Sequence, residues 1–394
     1  MTVEAATFIA RAQNQSPGAV RTETISSWQA FLDLEPTWRL ALQAAAVDHP
    51  FLEHCWIKSW WEAFGGSDKL HIVVVRERDE ILAIAPLIRT TITMFGMRVR
   101  RIGFFYNSHV PRAGFIIVRR PEVACRAILD HLLAERATWD MLQLCQLPLG
   151  SPTLATMREL SREAGLPYGI WLSGASPYVS LTGGWRQYYE SLATKHRSNL
   201  RNRFKRLNLP GAVSLETVKD ATPEALREGL QLEAAAWKGG AGTAISQDPQ
   251  VRLFYENFAL RAAEKQWLQL NFLRAGGQRI AFDYSLNYNN RTFLLKLGYD
   301  PAFSSFSPSN LLLSMTLERA FEQGQADYDF LGEQADWKSC WARDSKPNYW
   351  LYIFASTSKG RWLHFLKFLI IPKLRRLAVE VRTLVARSRK VAKI

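Results

Sequence analysis

Residues 307–310 are the first whose types and spacing suggest chemistry. Residues 292–299 read as a β-strand, residues 300–307 as a loop, and a helix is predicted to begin at Pro308. Ser307 suits the N-cap position, while Ser309 and Asn310 present backbone N–H groups without a carbonyl partner inside the helix. Because these groups and the helix dipole both favour negative charge, the pattern predicts an anion site, with phosphate as the simplest occupant. A capped helix without a ligand would show the same pattern.

Positive charge is concentrated in two short segments. The chain has 50 Lys and Arg residues against 36 Asp and Glu residues, a formal net charge of +14. Residues 195–206 hold six basic residues and no acidic one, and residues 359–394 hold eleven basic residues and one acidic residue. The rest is nearly neutral, so we expect two local anionic partners rather than a DNA-binding body.

The basic segment at 195–206 is predicted to be a helix. Its six cations cannot share one face at 3.6 residues per turn, so most are expected to face solvent. Lys195 and Arg197 are the candidates to reach an anionic substrate, such as a nucleotide-linked sugar. Further along, Trp237 and Lys238 precede a glycine-rich stretch at 239–242, and Lys238 is predicted to close over a ligand.

Several reaction classes lack their motifs. The sequence contains no HExxH, GxxxxGK[ST] or GxGxxG pattern and no Ser-His-Asp order, and its seven histidines show no metal-ligand spacing, so no metal is expected. The four cysteines lie far apart, as in a reducing compartment. His109 would either line a cleft or be a satisfied loop histidine. No secretory signal is visible and the longest apolar stretch has about ten residues, which favours a cytoplasmic protein.

The elements that must position these residues read as two similar halves. Each half predicts helices, then an antiparallel meander, then a helix that leads into a short strand. We therefore expect an α/β (α+β) protein with mixed, largely antiparallel sheets. The predicted divisions are a flexible N-terminus (1–23), an N-terminal domain (24–180), a C-terminal domain (181–358) and a basic amphipathic tail (359–394).

The tail has two readings. Apolar residues form a broad surface before Pro372 and a helical stripe beyond it, flanked by arginines; those of the first group are Trp362, Leu363, Phe365, Leu366, Leu369 and Ile370. Such a helix suits an anionic lipid surface at the inner face of the plasma membrane. The alternative is a helix packed on the domain or on a partner.

Five segments of the sequence carry a resemblance to a known family: KLGYDPAFSSFSPSNLLLSMTLERAFEQG, YDFLGEQADWKSCW, LEAAAWKGGAGTAI, RIAFDYSL and KHRSNLRNRFKRL. With them, residues 28–355 resemble the CelD/BcsL-type acetyltransferases, which belong to the GNAT-like acyltransferases associated with bacterial cellulose or exopolysaccharide synthesis. The paired halves also resemble the tandem GNAT arrangement of FemAB-type aminoacyltransferases. The predicted domains are accordingly two GNAT-like units.

The resemblance implies direct transfer from acetyl-CoA or another acyl-CoA to an amine or hydroxyl of a sugar or envelope precursor. Ser307, Ser309 and Asn310 would bind the pyrophosphate, and the pantetheine arm would pair with the strand that carries Leu295 and Leu297. Two alternatives stay open. One is a FemAB-like transferase that uses aminoacyl-tRNA, the only case with an RNA partner, and the other is a non-catalytic scaffold tethered to the membrane.

Acyl transfer needs a base, donors for the oxyanion and an acid for the leaving thiolate. Glu333, at the end of a strand, is the first candidate for the base. Tyr299 is the candidate acid, with core packing as its alternative. Asp329 is a further catalytic candidate, or else a buried hydrogen-bonding carboxylate. Two substrate-binding candidates remain: Asp283 would line the cleft or face solvent, and Lys338 would bind an anionic acceptor or lie along the surface.

Overall fold

The fold is described from a computed structural model for residues 19–208, 212–235 and 244–374. Trp237 and Lys238 lie outside these residues, as do 375–394 of the tail. The described part is a mixed α/β structure with one sheet of eleven strands and one of four. The predicted fold class is therefore confirmed.

The N-terminal half runs from strand β1 (Val20–Ile25) to strand β9 (Tyr168–Ser180). Its helices are α1 (Trp28–Asp33), α2 (Glu35–Ala44), α3 (His54–Phe64), α4 (Pro121–Ala134) and α5 (Pro152–Glu163). Its other strands are β2 (Lys69–Leu70), β3 (Ile72–Glu77), β4 (Glu80–Ala85), β5 (Leu87–Met94), β6 (Met97–Phe104), β7 (Ile116–Ile117) and β8 (Met141–Pro148). Because β1 pairs with β3, the prediction of a flexible segment is wrong for residues 20–23.

The C-terminal half repeats this order of elements. Its helices are α6 (Trp185–Ser191), α7 (Thr194–Asn208), α8 (Pro223–Ala235), α9 (Pro249–Glu264), α10 (Pro308–Glu322) and α11 (Asp336–Ser339). Its strands are β10 (Val213–Val218), β11 (Leu268–Ala275), β12 (Gln278–Tyr288), β13 (Arg291–Tyr299), β14 (Asp327–Asp329) and β15 (Asp344–Phe354). Helix α12 (Ser358–His364) and a π-helical turn (Phe365–Ile370) follow.

Two helix starts follow the local chemistry of the sequence. The Thr222 hydroxyl accepts a hydrogen bond from the Ala225 N–H at 3.3 Å, at the start of α8. The Asp248 carboxylate accepts from the Gln250 N–H at 2.8 Å, at the start of α9. In both helices a proline occupies the first position, where no N–H is needed. None of the described helices is long and apolar enough to cross a membrane.

The two halves exchange strands within one sheet. Its order is β10-β11-β12-β13-β14-β9-β15-β8-β6-β5-β2. Strand β15 belongs to the C-terminal half in sequence but lies between β9 and β8 of the N-terminal half. Strand β9 in turn pairs with β14 of the C-terminal half. The division at residue 180 therefore falls at a strand end, yet the backbone hydrogen bonds of the sheet run across it.

An aromatic core also joins the halves. Helix α3 packs against α9, and Trp56 of α3 contacts Phe254 and Phe258 of α9 with ring centroids 5.0 and 4.7 Å apart. All three side chains are fully buried. Since large aromatic side chains bury the most apolar surface, this contact fixes the two halves against each other and so fixes the cavity between them.

Candidate active site

Each half contains one pair of parallel neighbouring strands, and both pairs are short. Strand β13 pairs with β14 at only three positions, which end at Phe293 and Asp329. Strand β6 pairs with β8 at three positions that end at Gly103 and Gln143. The pairs lie on either side of β9 and β15, so the ends of the two ladders flank the centre of the sheet.

A bulge in β13 lies beside the end of its ladder. The register between β12 and β13 passes from Ser285–Leu294 to Tyr284–Lys296, which leaves Leu295 as the extra residue. An inner cavity of about 370 Å³ opens at this point, between the halves. Its lining combines Leu295 and Lys296, the turn 331–333 after β14, the loop 106–111, and residues of β8, β9, β15 and α9.

Glu333 reaches the inner cavity because the chain turns sharply after β14. Leu331 and Gly332 both have positive φ, +51° and +58°. Lys338 stabilises this turn, because its ammonium donates to the carbonyl oxygens of Leu331 and Glu333. The Glu333 side chain packs over Gly174, where a Cβ atom would lie 3.2 Å from its Cγ. In the described part of the chain the Glu333 carboxylate has no ion-pair partner, so it is available to a ligand.

Asp329 helps to hold the turn that carries Glu333. It is fully buried, forms an ion pair with Arg112, and accepts a hydrogen bond from the Leu331 N–H at 2.9 Å. Lys346 lies 3.9 Å from its carboxylate. Arg112 belongs to the N-terminal half, so this buried pair links the loop 106–112 to the turn that carries Glu333. Of the two readings of Asp329, the structure shows the buried hydrogen-bonding carboxylate.

Lys296, His109 and Tyr255 form a polar group on the inner-cavity wall. The Lys296 ammonium and the Tyr255 hydroxyl lie 3.4 and 3.3 Å from His109 Nδ1. An ammonium can only donate, so Nδ1 is the acceptor and the proton of the neutral ring is on Nε2. Burial and the nearby Lys296 charge lower the pKa of His109 to about 4. The ring is therefore neutral at physiological pH, while Lys296 brings positive charge to the cavity.

A second cavity, of about 540 Å³, shares part of its lining with the first. We call it the aromatic cavity; it is lined by Met94, Phe95, Tyr106, Gln146, Trp171, Ser173, Glu333, Trp350, Tyr352, Lys367 and Ile371. Tyr106, Gln146, Ser173 and Glu333 line both cavities. Glu333 therefore borders two compartments that meet at its side chain.

The predicted anion site at the start of α10 has a different cap from the one expected. Ser307 has a φ of +47° and its hydroxyl makes no cap hydrogen bond, which corrects its assignment as a side-chain N-cap. Its carbonyl accepts from the Asn310 and Leu311 N–H groups at 2.9 and 3.3 Å. The Asn310 side chain accepts from the Trp341 indole at 3.1 Å. The Asn310 N–H therefore has a carbonyl partner, which corrects its prediction as a free donor. Ser309 remains at the first turn, where N–H groups point outward beyond the N-terminal end of the helix.

Basic residues approach α10 from the middle of α7 rather than from its start. Arg201 and Lys205 line a surface groove of about 360 Å³ together with Leu311 and Ser314 of α10. Lys195 is exposed, and the Arg197 guanidinium donates to the Leu192 carbonyl at 3.1 Å. Lys195 and Arg197 line neither of the two cavities that meet at Glu333.

Four other candidates do not line the inner cavity. Tyr299 and Leu297 pack in the apolar cluster beneath α10, so core packing describes Tyr299 and its assignment as the acid is corrected. Asp283 neither lines the cleft nor faces solvent: it is fully buried and accepts from Asn271 and Ser285, each at 2.7 Å. Burial raises the pKa of Asp283 to about 6. Lys338 is also buried, with its ammonium directed at the two carbonyls of the Glu333 turn.

One group of described side chains has metal-ligand geometry, with ligand atoms of His71, His131 and Glu135 within 4.8 Å of one another. Arg89 bonds to two of them, donating to His71 Nδ1 at 3.2 Å and pairing with Glu135. The His131 ring nitrogens contact the hydroxyls of Thr22 and Thr24 at 3.0 and 2.7 Å. Because the Arg89 guanidinium already binds two of the three potential ligands, we assign this group no metal.

The C-terminal half matches a known protein family. Residues 194–339, from α7 through α11, match the family model described as "Acetyltransferase (GNAT) domain". Among curated protein sequences, none matches this chain. The matched range includes β13, the start of α10, and the Glu333 turn, which are the elements that build one side of the inner cavity.

Solved structures similar to this one cover most of the chain. The crystal structure of FemX is 12% identical, covers 84% of this chain and 98% of its own, and has a TM-score of 0.57. A tandem GNAT protein from the clavulanic acid biosynthesis pathway is 13% identical and covers 86% and 100%, with a TM-score of 0.48. L-PGS from Bacillus licheniformis, at 13% identity, covers 80% and 96% with a TM-score of 0.47.

The fold and the family match together define a class of protein. Residues 194–339 match a GNAT acetyltransferase domain, and the chain as a whole has a fold similar to that of FemX. The predicted enzyme class, an acyltransferase, is thereby confirmed. The CelD/BcsL type remains a prediction from the sequence.

Residues 106, 109, 112, 255 and 296 were not identified from the sequence as a group at the site. They come from a loop of the N-terminal half, a helix and a bulged strand, and only folding brings them together. Of the two predictions for His109, the structure shows the cleft residue, since His109 lines the inner cavity. The signal that could have found Lys296 is its position: it interrupts the apolar run of residues 293–297 in β13.

Proposed function

We propose that the protein transfers an acyl group from acyl-CoA to an amine or hydroxyl acceptor by direct attack in the inner cavity. The observation that carries this proposal is the early end of the β13–β14 ladder beside a bulge, with Glu333 and Lys296 at the opening. The space between the two strands would admit the pantetheine arm, and the thioester would reach the cavity from the side of α10.

The chemical step uses groups that border the cavity. The acceptor nitrogen or oxygen attacks the thioester carbonyl while Glu333 takes its proton, as a general base. The Lys296 ammonium offers positive charge to the oxyanion that forms on attack, and the neutral His109 ring can donate from Nε2. The C–S bond then breaks, and the proton passes to the leaving thiolate, which departs as free coenzyme A.

The donor's phosphates are proposed to bind at the first turn of α10. Ser309 presents its N–H there, and Arg201 and Lys205 line the groove along the same helix. We expect Ser309→Glu to weaken coenzyme A binding by about tenfold or more, because a carboxylate would repel the pyrophosphate at the helix start. Isothermal titration with coenzyme A measures the change.

The matched control is Ser358→Glu, which adds the same charge in the first turn of α12, away from both cavities. This variant should bind coenzyme A as the wild-type protein does. Equal affinity of the Ser309→Glu variant and the wild type would contradict the pyrophosphate assignment.

A second candidate donor is an aminoacyl-tRNA. It is favoured by the likeness of the whole fold to FemX, whose structure covers 84% of this chain. Such a donor also carries phosphates, so the basic helix α7 would serve either molecule. Isothermal titration with coenzyme A and, separately, with tRNA distinguishes the two donors. RNA binding that weakens steeply with salt, together with undetectable coenzyme A binding, would replace the first proposal with the second.

The cellular role is proposed from the CelD/BcsL resemblance. On that basis the acceptor is a sugar or a precursor of an exopolysaccharide or the cell envelope. The tail would then bind the anionic membrane surface, because residues 359–394 carry eleven basic residues and one acidic residue. We propose that the protein is cytoplasmic and associates peripherally with the anionic inner face of the plasma membrane.

The described start of the tail offers an apolar contact for this association. Trp362 and Phe365 are exposed by 51% and 39%, and their rings stack with centroids 5.6 Å apart. Leu363 of the predicted apolar surface is instead buried against the sheet, which corrects that part of the prediction. We expect Trp362→Glu with Phe365→Glu to reduce flotation with phosphatidylcholine–phosphatidylglycerol vesicles at least about fivefold.

Leu260→Glu is the control, since Leu260 is 53% exposed on α9 and far along the chain from the tail. It should float like the wild type. Unchanged flotation of the double variant would reject the apolar contact, and unchanged flotation of a protein that ends at Lys359 would reject the tail as a membrane anchor.

A further inference from the structure

The aromatic cavity is built on one face of the central sheet. Trp171 of β9 and Trp350 of β15 are paired in register, and Tyr352 follows two residues later on the same face. Leu351 and Ile353, which alternate with them, are buried in the core on the other face. The strands therefore present a row of large rings on the side where the cavity lies.

The outer wall of this cavity comes from the segment beyond the last strand. Phe368 seats this segment on the sheet: its ring occupies the space over Gly169, where a Cβ atom would lie 2.4 Å from it. The same ring contacts Tyr352, with centroids 5.8 Å apart. Lys367 and Ile371 are thereby held against the cavity. This wall lies outside the residues that match the acetyltransferase family.

Lys367 gives the outer part of the cavity a positive charge. Its ammonium lies 4.2 Å from the ring centroid of Tyr352 and 5.4 Å from that of Trp171. Arg101 adds a second cation behind Tyr352: it donates to the Gln143 amide, which in turn donates to the Tyr352 hydroxyl, both at 3.3 Å. At the other end is the Glu333 carboxylate, which also borders the inner cavity. Of these two cations, Lys367 lines the cavity, so a molecule bound there meets the Lys367 ammonium at one end and the Glu333 carboxylate at the other.

We propose that the aromatic cavity is the acceptor site, and that the acceptor is a phosphorylated sugar. The phosphate binds at Lys367, the sugar ring lies against Trp171 and Trp350, and the hydroxyl or amine to be acylated points at Glu333. The rings supply the apolar contact area and the few charged groups fix the orientation, as in small-molecule sites generally. The inference rests on the proposed acyl transfer and adds the class of acceptor and its binding direction.

The test compares the binding of D-glucosamine 6-phosphate with that of D-glucosamine by isothermal titration. A third titration uses UDP-N-acetylglucosamine as a second phosphorylated sugar. We expect the wild type to bind at least one phosphorylated sugar about tenfold or more tightly than glucosamine, since charge-assisted bonds to phosphate are strong. Lys367→Met should remove that preference, while Lys367→Arg should retain most of it. Trp171→Ala should weaken the phosphorylated and the unphosphorylated sugar alike.

Lys373→Met is the matched control, because Lys373 is exposed in the same segment and does not line the cavity. It should bind as the wild type does. Failure of both phosphorylated sugars to bind, or equal binding by the wild type and the Lys367→Met variant, overturns the proposal. Coenzyme A titration of the same proteins is independent: if coenzyme A fails to bind while a sugar phosphate binds through Lys367, the donor proposal fails and the sugar site stands.

Discussion

Glu333→Gln is expected to lower kcat by about 10²- to 10³-fold while coenzyme A binding changes by less than about twofold. The amide keeps the shape of the side chain but cannot accept the acceptor's proton, and general-base catalysis typically contributes a factor of this size. The proposed donor site is at the start of α10, whereas Glu333 lies on the turn after β14, so we expect the two effects to separate. Thiol release from acetyl-CoA with a saturating acceptor measures kcat.

The control is Asp336→Asn, an exposed carboxylate three residues away that lines neither cavity. It should retain wild-type kcat. A Glu333→Gln variant with full activity would remove Glu333 as the base and leave the acyl transfer itself intact. If neither wild type nor variant binds coenzyme A or turns over, the non-catalytic scaffold becomes the better description.

The local parts of this site follow from the sequence, because their signals lie within a few residues. A strand, a loop, and a helix with proline at its first position predict β13 and α10, and the structure has both. Gly332 next to Glu333 likewise indicates a turn that presents a carboxylate, and Gly332 has a φ of +58°. At such positions backbone conformation is decided by short-range sterics and helix-end hydrogen bonding.

The partners across the cavity depend on pairing between distant parts of the chain. Strand β15 pairs with β9 and β8, about 170 to 210 residues earlier, and hydrophobic periodicity within β15 does not specify those partners. Asp283 was misplaced for the same reason: its neighbours Asn271 and Ser285 are buried beside it in a sheet that α10 covers. Asp283 is buried because α10, which comes later in the sequence, packs over this part of the sheet.

Asp329→Asn is expected to destabilise the protein by about 3–5 kcal/mol, the usual cost of leaving a buried charge without its partner. Arg112 and Asp329 are 4% and 0% exposed, and the pair joins the two halves. In the variant the Arg112 guanidinium stays buried beside a neutral amide. Urea unfolding with linear extrapolation measures the change in the free energy of unfolding. Glu190→Gln, which removes the exposed pair of Arg186 and Glu190, should cost less than about 1 kcal/mol.

Removing Arg112 and removing Asp329 should not reduce the free energy of unfolding equally. Asp329 keeps a second cation, Lys346 at 3.9 Å, when Arg112 is removed. Among the described residues the ion pair of Arg112 is with Asp329. Arg112→Met should therefore cost less than Asp329→Asn, and the double variant should cost less than the sum of the two, because it leaves no unpaired guanidinium. Additive losses would show that the pair is uncoupled. Equal losses would show that Lys346 does not stabilise the Asp329 carboxylate, and that the turn bearing Glu333 is held by the Leu331 N–H and Lys338 instead.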